Sequence, residues 1–344
     1  MEVTILPTDM FSNGKSYESV CPRVSAIVVN RNNRELLRRC LDSILQLDYC
    51  SLEIVVVDNA STDDSVKMVK STFPNVKLVV NHTNLGFALA NLIGFRETTG
   101  ELIALVNNDV LVDANWLREL VNAITEDKLV AAVGGKMLRN NNPKIILHSW
   151  IKLDPVTAIP YLFYDDRPKH LVDYVPASAV VMRRKAIEEI GFFDPYYFSY
   201  YEDTDWCARA MASGYSILYV PSAVAWHREA STLGESSSAR RFLLLRNRIR
   251  FALKHFQLRH LVLFVAVFAC ETLLSMLYWT CRGNVGCLRV RARAILWNFA
   301  NLRSIIASRL ESREETRSYN SSLPLKDMSK GDSLSRTFQY AVRL

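Results

Sequence analysis

Residues 102–109 read Leu-Ile-Ala-Leu-Val-Asn-Asn-Asp, so that five apolar residues run directly into three polar ones. An uninterrupted apolar run of this length predicts a strand that is covered on both of its faces. The change to Asn107-Asn108-Asp109 predicts that the strand ends in a polar loop. We therefore expect a buried strand that delivers these three side chains to one edge of a sheet.

The residues before this strand repeat the pairing of an apolar run with a helix-period stretch. Val24–Val29 and Ile54–Val57 are apolar enough for buried strands, and Asn32 or Asn33 is a candidate N-cap for the helix between them. The predicted elements are strands at 24–29, 54–57, 76–80 and 102–106 and helices at 34–47, from Ser61-Thr62-Asp63 to before Pro74, and at 86–98. Strands that alternate with crossover helices predict an α/β fold, with a doubly wound, mostly parallel sheet and helices on both faces.

Ligands of such sheets bind beyond the carboxyl ends of the strands. Asn30, Asp58, Asn84 and residues 107–109 follow strand ends or lie in the loops beyond them, so we expect them to converge on one crevice. Asp58 could accept hydrogen bonds from ribose hydroxyls or a base N–H. Alternatively, it could stabilise a turn, because Asp-Asn and Ser-Thr-Asp sequences favour turns and helix caps.

The predicted helix at 86–98 opens with a second candidate ligand contact. Gly86 would permit close backbone approach, and a helix N-terminus attracts phosphate. Asn84 could equally be a plain N-cap. The loop after the first strand, residues 30–33, contains no glycine, which argues against a dinucleotide site for NAD or FAD.

Asp109 is a candidate ligand for Mg²⁺ or Mn²⁺, which take hard oxygen ligands from carboxylates and substrate phosphates. His227, in Trp226-His227-Arg228, could complete a metal site, and Arg228 could contact phosphate. A polar turn at 107–109 and a structural histidine are the alternatives.

Glu202 and Asp203 precede a predicted helix at 204–213 and follow a dense aromatic run, 192–201. Aromatic burial would raise the pKa of a carboxyl, as a general base requires. Alternatively, acids in a first helical turn simply stabilise the helix, by about 0.3–1 kcal/mol. Glu202, Trp206 and Arg228 are further candidates for contact with phosphate or acceptor.

The second half of the chain shows weaker alternation. We predict strands at 178–182 and 215–220 and a short helix at 185–190, whereas residues 140–175 are irregular. The Ser/Gly-rich stretch 231–238 is typical of a mobile loop. Both irregular stretches are expected to shape an acceptor pocket.

The basic character of the chain belongs to residues 240–310, which hold 13 Arg or Lys against Glu271 alone, within a net charge of +7. Residues 260–279 form a mostly apolar run of membrane length, and 288–310 a basic amphipathic stretch. Basic residues flank both ends, which favours an in-plane or re-entrant helix on the cytoplasmic side; a full span and soluble packing are the alternatives. The aromatics lie in apolar runs rather than among the arginines, so we do not expect nucleic-acid binding.

The seven cysteines are irregularly spaced and form no C-x-x-C pair. We therefore expect no disulfide framework and a reducing, cytosolic setting. The first residues lack the basic and apolar regions of a signal peptide. The expected organisation is a poorly ordered lead-in (1–22), one domain (23–256) with halves 23–135 and 136–256, membrane-associating helices (257–312) and a polar tail (313–344).

In this order, the segments resemble the family 2 glycosyltransferases with the GT-A fold, particularly the rhamnosyltransferase-like group. The resemblance extends from residue 24 to about residue 260, and its segments are Val24–Asn33, Val56–Asp63, Asn84–Phe87, Val106–Asp109, Gly191–Asp194, Tyr201–Asp205 and Arg246–Phe256.

The resemblance implies a role for several residues. Asp58 would bind the nucleoside, Asn107 and Asp109 would occupy the metal and diphosphate motif, and Asp203 would be the general base. His227 would match a metal-ligand histidine of some members. Asn107 stands where many relatives carry Asp, which leaves fewer charged ligands for the metal.

The implied activity is that of an inverting, metal-dependent glycosyltransferase at the cytoplasmic face of the cell membrane. Its donor would be a nucleoside-diphosphate sugar and its acceptor a glycan or polyprenyl-linked sugar. A nucleotide-sugar-binding membrane scaffold without turnover is the alternative, motivated by Asn107. A nucleotidyltransferase would normally need a Gly-rich phosphate loop near the first strand, and the sequence has none.

Overall fold

The computed structural model describes residues 21–165, 167–228 and 237–314, with side chains up to residue 310. Most of the expected lead-in (1–20), most of the predicted loop (231–236) and the tail from 315 lie outside the described residues, and those predictions stay untested.

The elements follow one another in a strand–helix alternation that gives way to helices. The strands are β1 Val24–Asn30, β2 Leu52–Asn59, β3 Lys77–Asn81, β4 Leu102–Val106, β5 Val110–Val112, β6 Val130–Arg139, β7 Asn142–His148, β8 Ile151–Leu153, β9 Pro160–Leu162, β10 His170–Leu171, β11 Ala179–Arg183 and β12 Ser216–His227. The α-helices are α1 Arg34–Leu45, α2 Ser65–Thr72, α3 Gly86–Arg96, α4 Trp116–Glu126, α5 Arg184–Ile190, α6 Glu202–Ala212, α7 Ser238–His255, α8 Leu258–Cys281, α9 Val285–Ala300 and α10 Leu302–Glu314, and Pro195–Tyr197 form a 3₁₀ turn.

A central sheet runs in the order β10-β12-β6-β11-β4-β1-β2-β3, with β5 on β12 and β7 on β6. Strands β3, β2, β1 and β4 are parallel neighbours, and β12 is parallel to β6. The inserted strand β11 is antiparallel to both β4 and β6. The predicted mostly parallel α/β sheet is therefore confirmed, and it places the ends of β1, β2 and β4 side by side.

Two hydrophobic cores cover the two faces of this sheet. One core packs α1, α2 and α4 against it, and the other packs α3, α5 and α6. Alternate residues of one strand serve different cores: Val28 belongs to the first and Ile27 to the second. Burial on both faces explains why these strands are continuously apolar.

Several elements differ from their predictions. Asn33 precedes α1 in a left-handed conformation, and its side chain caps no amide; Asp63 accepts the Arg34 amide instead, at 3.0 Å. Residues 140–175 form four short strands, β7 to β10, rather than an irregular segment. The predicted amphipathic stretch 288–310 is divided between α9 and α10.

Cys21 and Cys50 form a disulfide that joins the entry of β1 to the loop before β2. The irregular cysteine spacing did not predict it. Local sequence cannot reveal such a pair, because these cysteines become neighbours only when β1 and β2 align at Val24 and Leu52.

A break in register near the end of β12 sets the position of His227. β12 pairs with β6 up to Val220 and Gly135 and resumes at Val224 and Lys136, with three extra residues between. The last part of β12 then also pairs with β5, so that His227 lies opposite Val110. A Cβ at Gly135 would lie 1.9 Å from the carbonyl oxygen of Ala223, so the bulge requires glycine.

Gly135→Ala is expected to destabilise the fold by about 1–3 kcal/mol or more, because the methyl group must displace backbone. Gly286→Ala is the control, since its methyl group would meet only the Asn284 side-chain oxygen, at 3.4 Å. Alanine in α9 should instead stabilise by up to about 1 kcal/mol. Thermal unfolding followed by circular dichroism measures both changes, and equal stability of the two variants would contradict the account of the bulge.

Candidate active site

The loop Asn107-Asn108-Asp109 joins the carboxyl ends of three strands. The Asn108 side-chain amide donates to Asn30 Oδ1 at 2.7 Å, and Asn30 donates in turn to Asp58 Oδ2 at 3.2 Å. Asn30, Asp58 and Asn108 are at most 6% exposed, where an unpaired polar group would be costly. This buried chain of hydrogen bonds brings the predicted donor-binding residues of β1, β2 and the β4 loop together.

Asp109 and His227 face each other across the pairing of β5 with β12. His227 Nε2 lies 3.1 Å from Asp109 Oδ1, and the Arg228 amide donates to the Asp109 carbonyl at 3.1 Å. The two predicted metal ligands, 118 residues apart in sequence, are thus neighbours. Arg228 is exposed and contributes its backbone to this contact.

Asn107 connects the same loop to Asp203. The backbone amide of Asn107 donates to the Ser178 carbonyl at 2.9 Å. The backbone amide of the adjacent Ala177 donates to Asp203 Oδ2 at 3.1 Å. The Asn107 side-chain oxygen is buried and has no hydrogen-bond partner within the described part of the chain. Ala177 and Ser178 therefore connect Asp203, the proposed base, with the loop that carries the proposed metal motif.

Burial raises the pKa of Asp203, although hydrogen bonds from the amides of Ala177 and Thr204 oppose the shift. Glu202 is only 5% exposed, and its Oε2 has no partner among the described residues. Burial, followed by the charge of Asp203, raises the pKa of Glu202 well above its usual value. The two adjacent acids therefore share a poorly hydrated environment.

Tyr200 lies near acids from both parts of the site. Burial raises its pKa, Arg240 opposes the shift, and the charges of Glu202 and Asp109 add to it. The charges of an acid on the 107–109 loop and of one at the start of α6 therefore both act on Tyr200.

The N-terminus of α3 does not have the expected geometry for a phosphate contact. The amides of Phe87 and Ala88 donate to the Phe198 carbonyl at 2.6 and 3.1 Å. Gly86 has φ 82°, and a Cβ there would lie 2.6 Å from that same oxygen. Asn84 accepts from the Asn59 side chain at 2.8 Å. The group that approaches Gly86 closely is therefore the Phe198 carbonyl, in the segment before Asp203, and not a ligand. Asn84 stabilises the loop before α3 through its bond with Asn59.

Trp206 also has a structural position. It is 1% exposed, and its indole N–H donates to the Gly191 carbonyl at 2.9 Å. The expectation that it contacts phosphate or acceptor is corrected, because its only polar side-chain atom makes this bond and its ring packs in the second core.

Helix α7 supplies a buried ionic cluster that sequence reasoning did not assign. Lys254 Nζ lies 3.0 Å from Asp194 and 2.8 Å from Asp205, and Asp205 also pairs with Arg209 and His255 at 3.0 and 2.7 Å. Burial alone would raise the pKa of Asp205, but Lys254 and Arg209 hold it well below its usual value. The sequence did contain one indication of this cluster: residues 240–255 have an excess of basic side chains, which need acidic partners elsewhere in the chain.

Residues 25–191 match the model of Glycosyl transferase family 2. A probable glycosyltransferase, YdaM of Bacillus subtilis (strain 168), is 26% identical over 306 residues, or 81% of this chain and 71% of that protein. The N-acetylglucosaminyl-diphospho-decaprenol L-rhamnosyltransferase of Mycobacterium tuberculosis (strain ATCC 25618 / H37Rv) is 24% identical over 233 residues, which are 59% of this chain and 75% of that protein. This chain spans only 26% and 43% of the length of two other relatives.

The fold also resembles that of a solved enzyme. The mannosyltransferase PcManGT from Pyrobaculum calidifontis, in complex with GDP-Man and Mn²⁺, superposes with a TM-score of 0.52 at 20% identity. The superposition covers 94% of this chain and 84% of that one. The likeness supports the GT-A fold predicted from the sequence.

The Asp194 carboxylate is expected to make stability depend on acid pH. Burial alone would raise its pKa, but Lys254 and Arg250 lower it from 3.8 to about 2. The ionised group therefore contributes stability above pH 3.8, and this contribution is lost as the pH falls toward 2. Asp194→Asn should remove this dependence and destabilise by about 3–5 kcal/mol, because two buried cations lose a partner.

Chemical unfolding at several pH values measures both effects. Asp42→Asn is the control, because Asp42 and Arg38 are half-exposed and 3.9 Å apart, a pairing worth less than about 1 kcal/mol. An Asp194→Asn variant as stable as the control would contradict the account.

Proposed function

We propose that the chain is a family 2 glycosyltransferase, whose family model matches residues 25–191, and that it transfers a sugar from a nucleoside-diphosphate sugar to a hydroxyl group with inversion at the anomeric carbon. The acceptor is a glycan or a polyprenyl-linked sugar at the cytoplasmic face of the membrane. The observation that carries the proposal is the hydrogen bonding of one loop, 107–109, to Asn30, to His227 and to Ser178, whose neighbour Ala177 donates to Asp203. The decaprenol-linked substrate named for the M. tuberculosis relative supports a lipid-linked acceptor and rhamnose as one donor sugar.

Asp58 is the proposed contact for the nucleoside. Its Oδ1 accepts the Ser61 amide at 2.9 Å, and its Oδ2 accepts from Asn30. These bonds fix the carboxylate at the carboxyl end of β2, where α/β sheets bind their ligands. A carboxylate has further lone pairs, so Asp58 can still accept hydrogen bonds from ribose hydroxyls or a base N–H.

Asp109 and His227 are the proposed ligands of Mg²⁺ or Mn²⁺, and PcManGT was solved with Mn²⁺. The donor set fits such an ion, because a hard cation often takes one or two protein ligands and completes its shell with phosphate oxygens and water. The unpartnered oxygen of Asn107 is a third candidate on the same loop. Across 21–165, 167–228 and 237–314, no group of three His, Cys, Asp or Glu side chains could hold a metal, so we expect tight binding only with the diphosphate. When bound, the ion would neutralise charge on the leaving group.

Asp203 is the proposed general base. The acceptor oxygen forms a bond to the anomeric carbon as the bond to the nucleoside diphosphate breaks, and the hydroxyl proton passes to an oxygen of Asp203. Burial favours this transfer, because it raises the pKa of Asp203 and so makes the carboxylate a stronger base. The amide of Ala177 holds the group in place.

The activity is tested by incubating the full chain with UDP-, GDP- and dTDP-sugars, polyprenyl-diphosphate sugars and Mg²⁺ or Mn²⁺. Mass spectrometry should detect a glycosylated acceptor and released nucleoside diphosphate. Donor binding without any product across the panel would contradict transfer and favour the alternative of a non-catalytic nucleotide-sugar-binding scaffold.

Asp203→Asn is expected to lower kcat by about 10²–10⁴-fold, the usual contribution of a general base. Donor affinity should stay near that of the parent, since Asp203 is not among the proposed donor or metal ligands. Asp42→Asn is again the matched control and should retain full activity. An unchanged kcat in Asp203→Asn would remove this residue from the mechanism while leaving the transfer activity itself intact.

The proposed membrane contact lies on α8, α9 and α10. Helix α8 is long and apolar enough to cross a membrane, yet only 6% of its most apolar 18-residue window is buried. Its acid, Glu271, pairs with both terminal nitrogens of Arg248 on α7, at 2.8 and 3.0 Å. This pair holds one side of α8 against the domain, which supports an in-plane helix over an isolated span. The large exposed apolar side chains of α8 are Leu258, Val262, Leu263, Val265, Leu273, Leu274, Met276, Leu277 and Tyr278.

Replacing Leu273 and Leu277 together by Ser is expected to weaken binding to phosphatidylglycerol vesicles by about tenfold or more. Burial of a leucine side chain contributes about 1.5–3 kcal/mol, and these two are 67% and 65% exposed. Leu171→Ser is the control, because that side chain is 65% exposed on β10. Vesicle flotation at low and high salt gives the affinities. Equal binding by the parent, the double variant and the Leu171→Ser control would contradict the proposed surface.

A further inference from the structure

The segment that leads into Glu202 and Asp203 has a costly backbone conformation. Phe198, Tyr200 and Tyr201 have φ values of 64°, 70° and 71°. Bulky residues rarely adopt positive φ, and each such residue costs of order 1–3 kcal/mol. The segment 196–201 therefore needs strong outside contacts to keep its shape.

Asn247 of α7 supplies those contacts. It is fully buried, and its side-chain Nδ2 lies 3.0, 2.8 and 2.7 Å from the carbonyl oxygens of Tyr197, Ser199 and Tyr200. Three carbonyls of one four-residue stretch, 197–200, thus converge on a single amide group. A hydrophobic side chain at this position would leave the Ser199 and Tyr200 carbonyls without this donor, which is unfavourable, whereas the Tyr197 carbonyl would keep the Arg246 guanidinium as a donor.

Arg246 keeps the Asn247 side chain in position. Arg246 donates to the Tyr196 carbonyl at 3.0 Å, and its Nε donates to Asn247 Oδ1 at 2.8 Å. Asn298 of α9 donates to the Arg246 carbonyl at 3.0 Å, a backbone contact on α7 that involves neither the Asn247 side chain nor residues 196–201. The amide of Asn247 is therefore oriented with its nitrogen toward 196–201 and its oxygen toward Arg246.

The same helix face also holds the chain after Asp203. Lys254 follows Asn247 by seven residues, two helical turns, so that both project from one side of α7. Lys254 pairs with Asp205 at 2.8 Å. Glu202 and Asp203 therefore lie between two segments, 197–200 and Asp205, that are both fixed to α7.

We propose that Asn247 is a positioning residue for the general base: it holds the segment 196–201, in which Phe198, Tyr200 and Tyr201 have positive φ, and thereby aims Asp203 at the acceptor hydroxyl. The inference rests on the proposed function, because it assigns Asn247 a role in that transfer reaction. Loss of the amide should let the segment relax and let water reach the carboxylate. A displacement of about 1 Å at a reacting group can lower turnover by about 10²-fold.

The test compares Asn247→Ala, Asn247→Ser and Asn298→Ala with the parent protein. Serine keeps one donor and should give partial rescue. Asn298→Ala removes a buried amide of similar exposure (3%) that contacts α7 but not 196–201, so it controls for lost stability alone. Each protein is assayed at a temperature well below its own Tm, with kcat, acceptor KM, donor Kd and the pH profile of kcat as readouts.

The expected results separate positioning from folding. Asn247→Ala should lower kcat by about 10–100-fold with donor Kd unchanged, Asn247→Ser should fall between it and the parent, and Asn298→Ala should keep kcat. The acid limb of the kcat profile should move to lower pH in Asn247→Ala, because solvation lowers the pKa of a buried carboxyl. If Asn247→Ala does not fold, the same test is made with Asn247→Ser, for which we expect a smaller decrease in kcat.

Two other outcomes are distinct. An active parent with Asn247 variants that match Asn298→Ala in kcat and in pH profile would overturn the positioning role and leave the proposed function standing. A parent that transfers no sugar would overturn the proposed function, and with it this inference.

Discussion

The hydrogen bonds of Asn107-Asn108-Asp109 are the constraint on which the site depends. Asn108 donates to Asn30, which donates in turn to Asp58, and Asp109 contacts His227. The backbone amide of Asn107 donates to Ser178, and the neighbouring Ala177 donates to Asp203. These links run from β4 to β1, β2, β12 and α6. Because most of these groups are buried, each bond is costly to leave unmade, and one short loop therefore sets the relative positions of the residues proposed to bind the nucleoside and the cation and of the proposed base.

Helix α7 supplies the second constraint through buried charge. Lys254 lies between Asp194 and Asp205, and a buried ion pair gains little net stability once desolvation is counted. Its effect here is to fix geometry: the cluster holds the start of α6 while Asn247 holds the turn before it. The catalytic half of the chain and the apolar helices then meet on α7, where Arg248 binds Glu271. A membrane-bound α8 would hold the base side of the site close to lipid-linked acceptors.

The local elements were predictable because periodicity and apolar runs report them directly. β4 was predicted at its observed bounds, and the ends of β1 and β2 gave Asn30 and Asp58. The partners of those residues were less accessible, since the pairing of β5 with β12 and the bulge near Gly135 are long-range events. Gly86 illustrates the limit: the sequence showed that something approaches closely, but only the fold reveals that it is the Phe198 carbonyl. For the same reason, Trp206 was given the wrong role and the Cys21–Cys50 pair was missed.

The most direct test is a crystal structure of the full chain with Mn²⁺ and a non-hydrolysable nucleoside-diphosphate sugar. The account predicts a nucleoside on Asp58, a cation on Asp109 and His227 in contact with the diphosphate, and Asp203 facing the anomeric carbon from the side opposite the leaving group. A nucleotide bound elsewhere, or a complex in which Asp58, Asp109 and Asp203 do not surround one ligand, would contradict it.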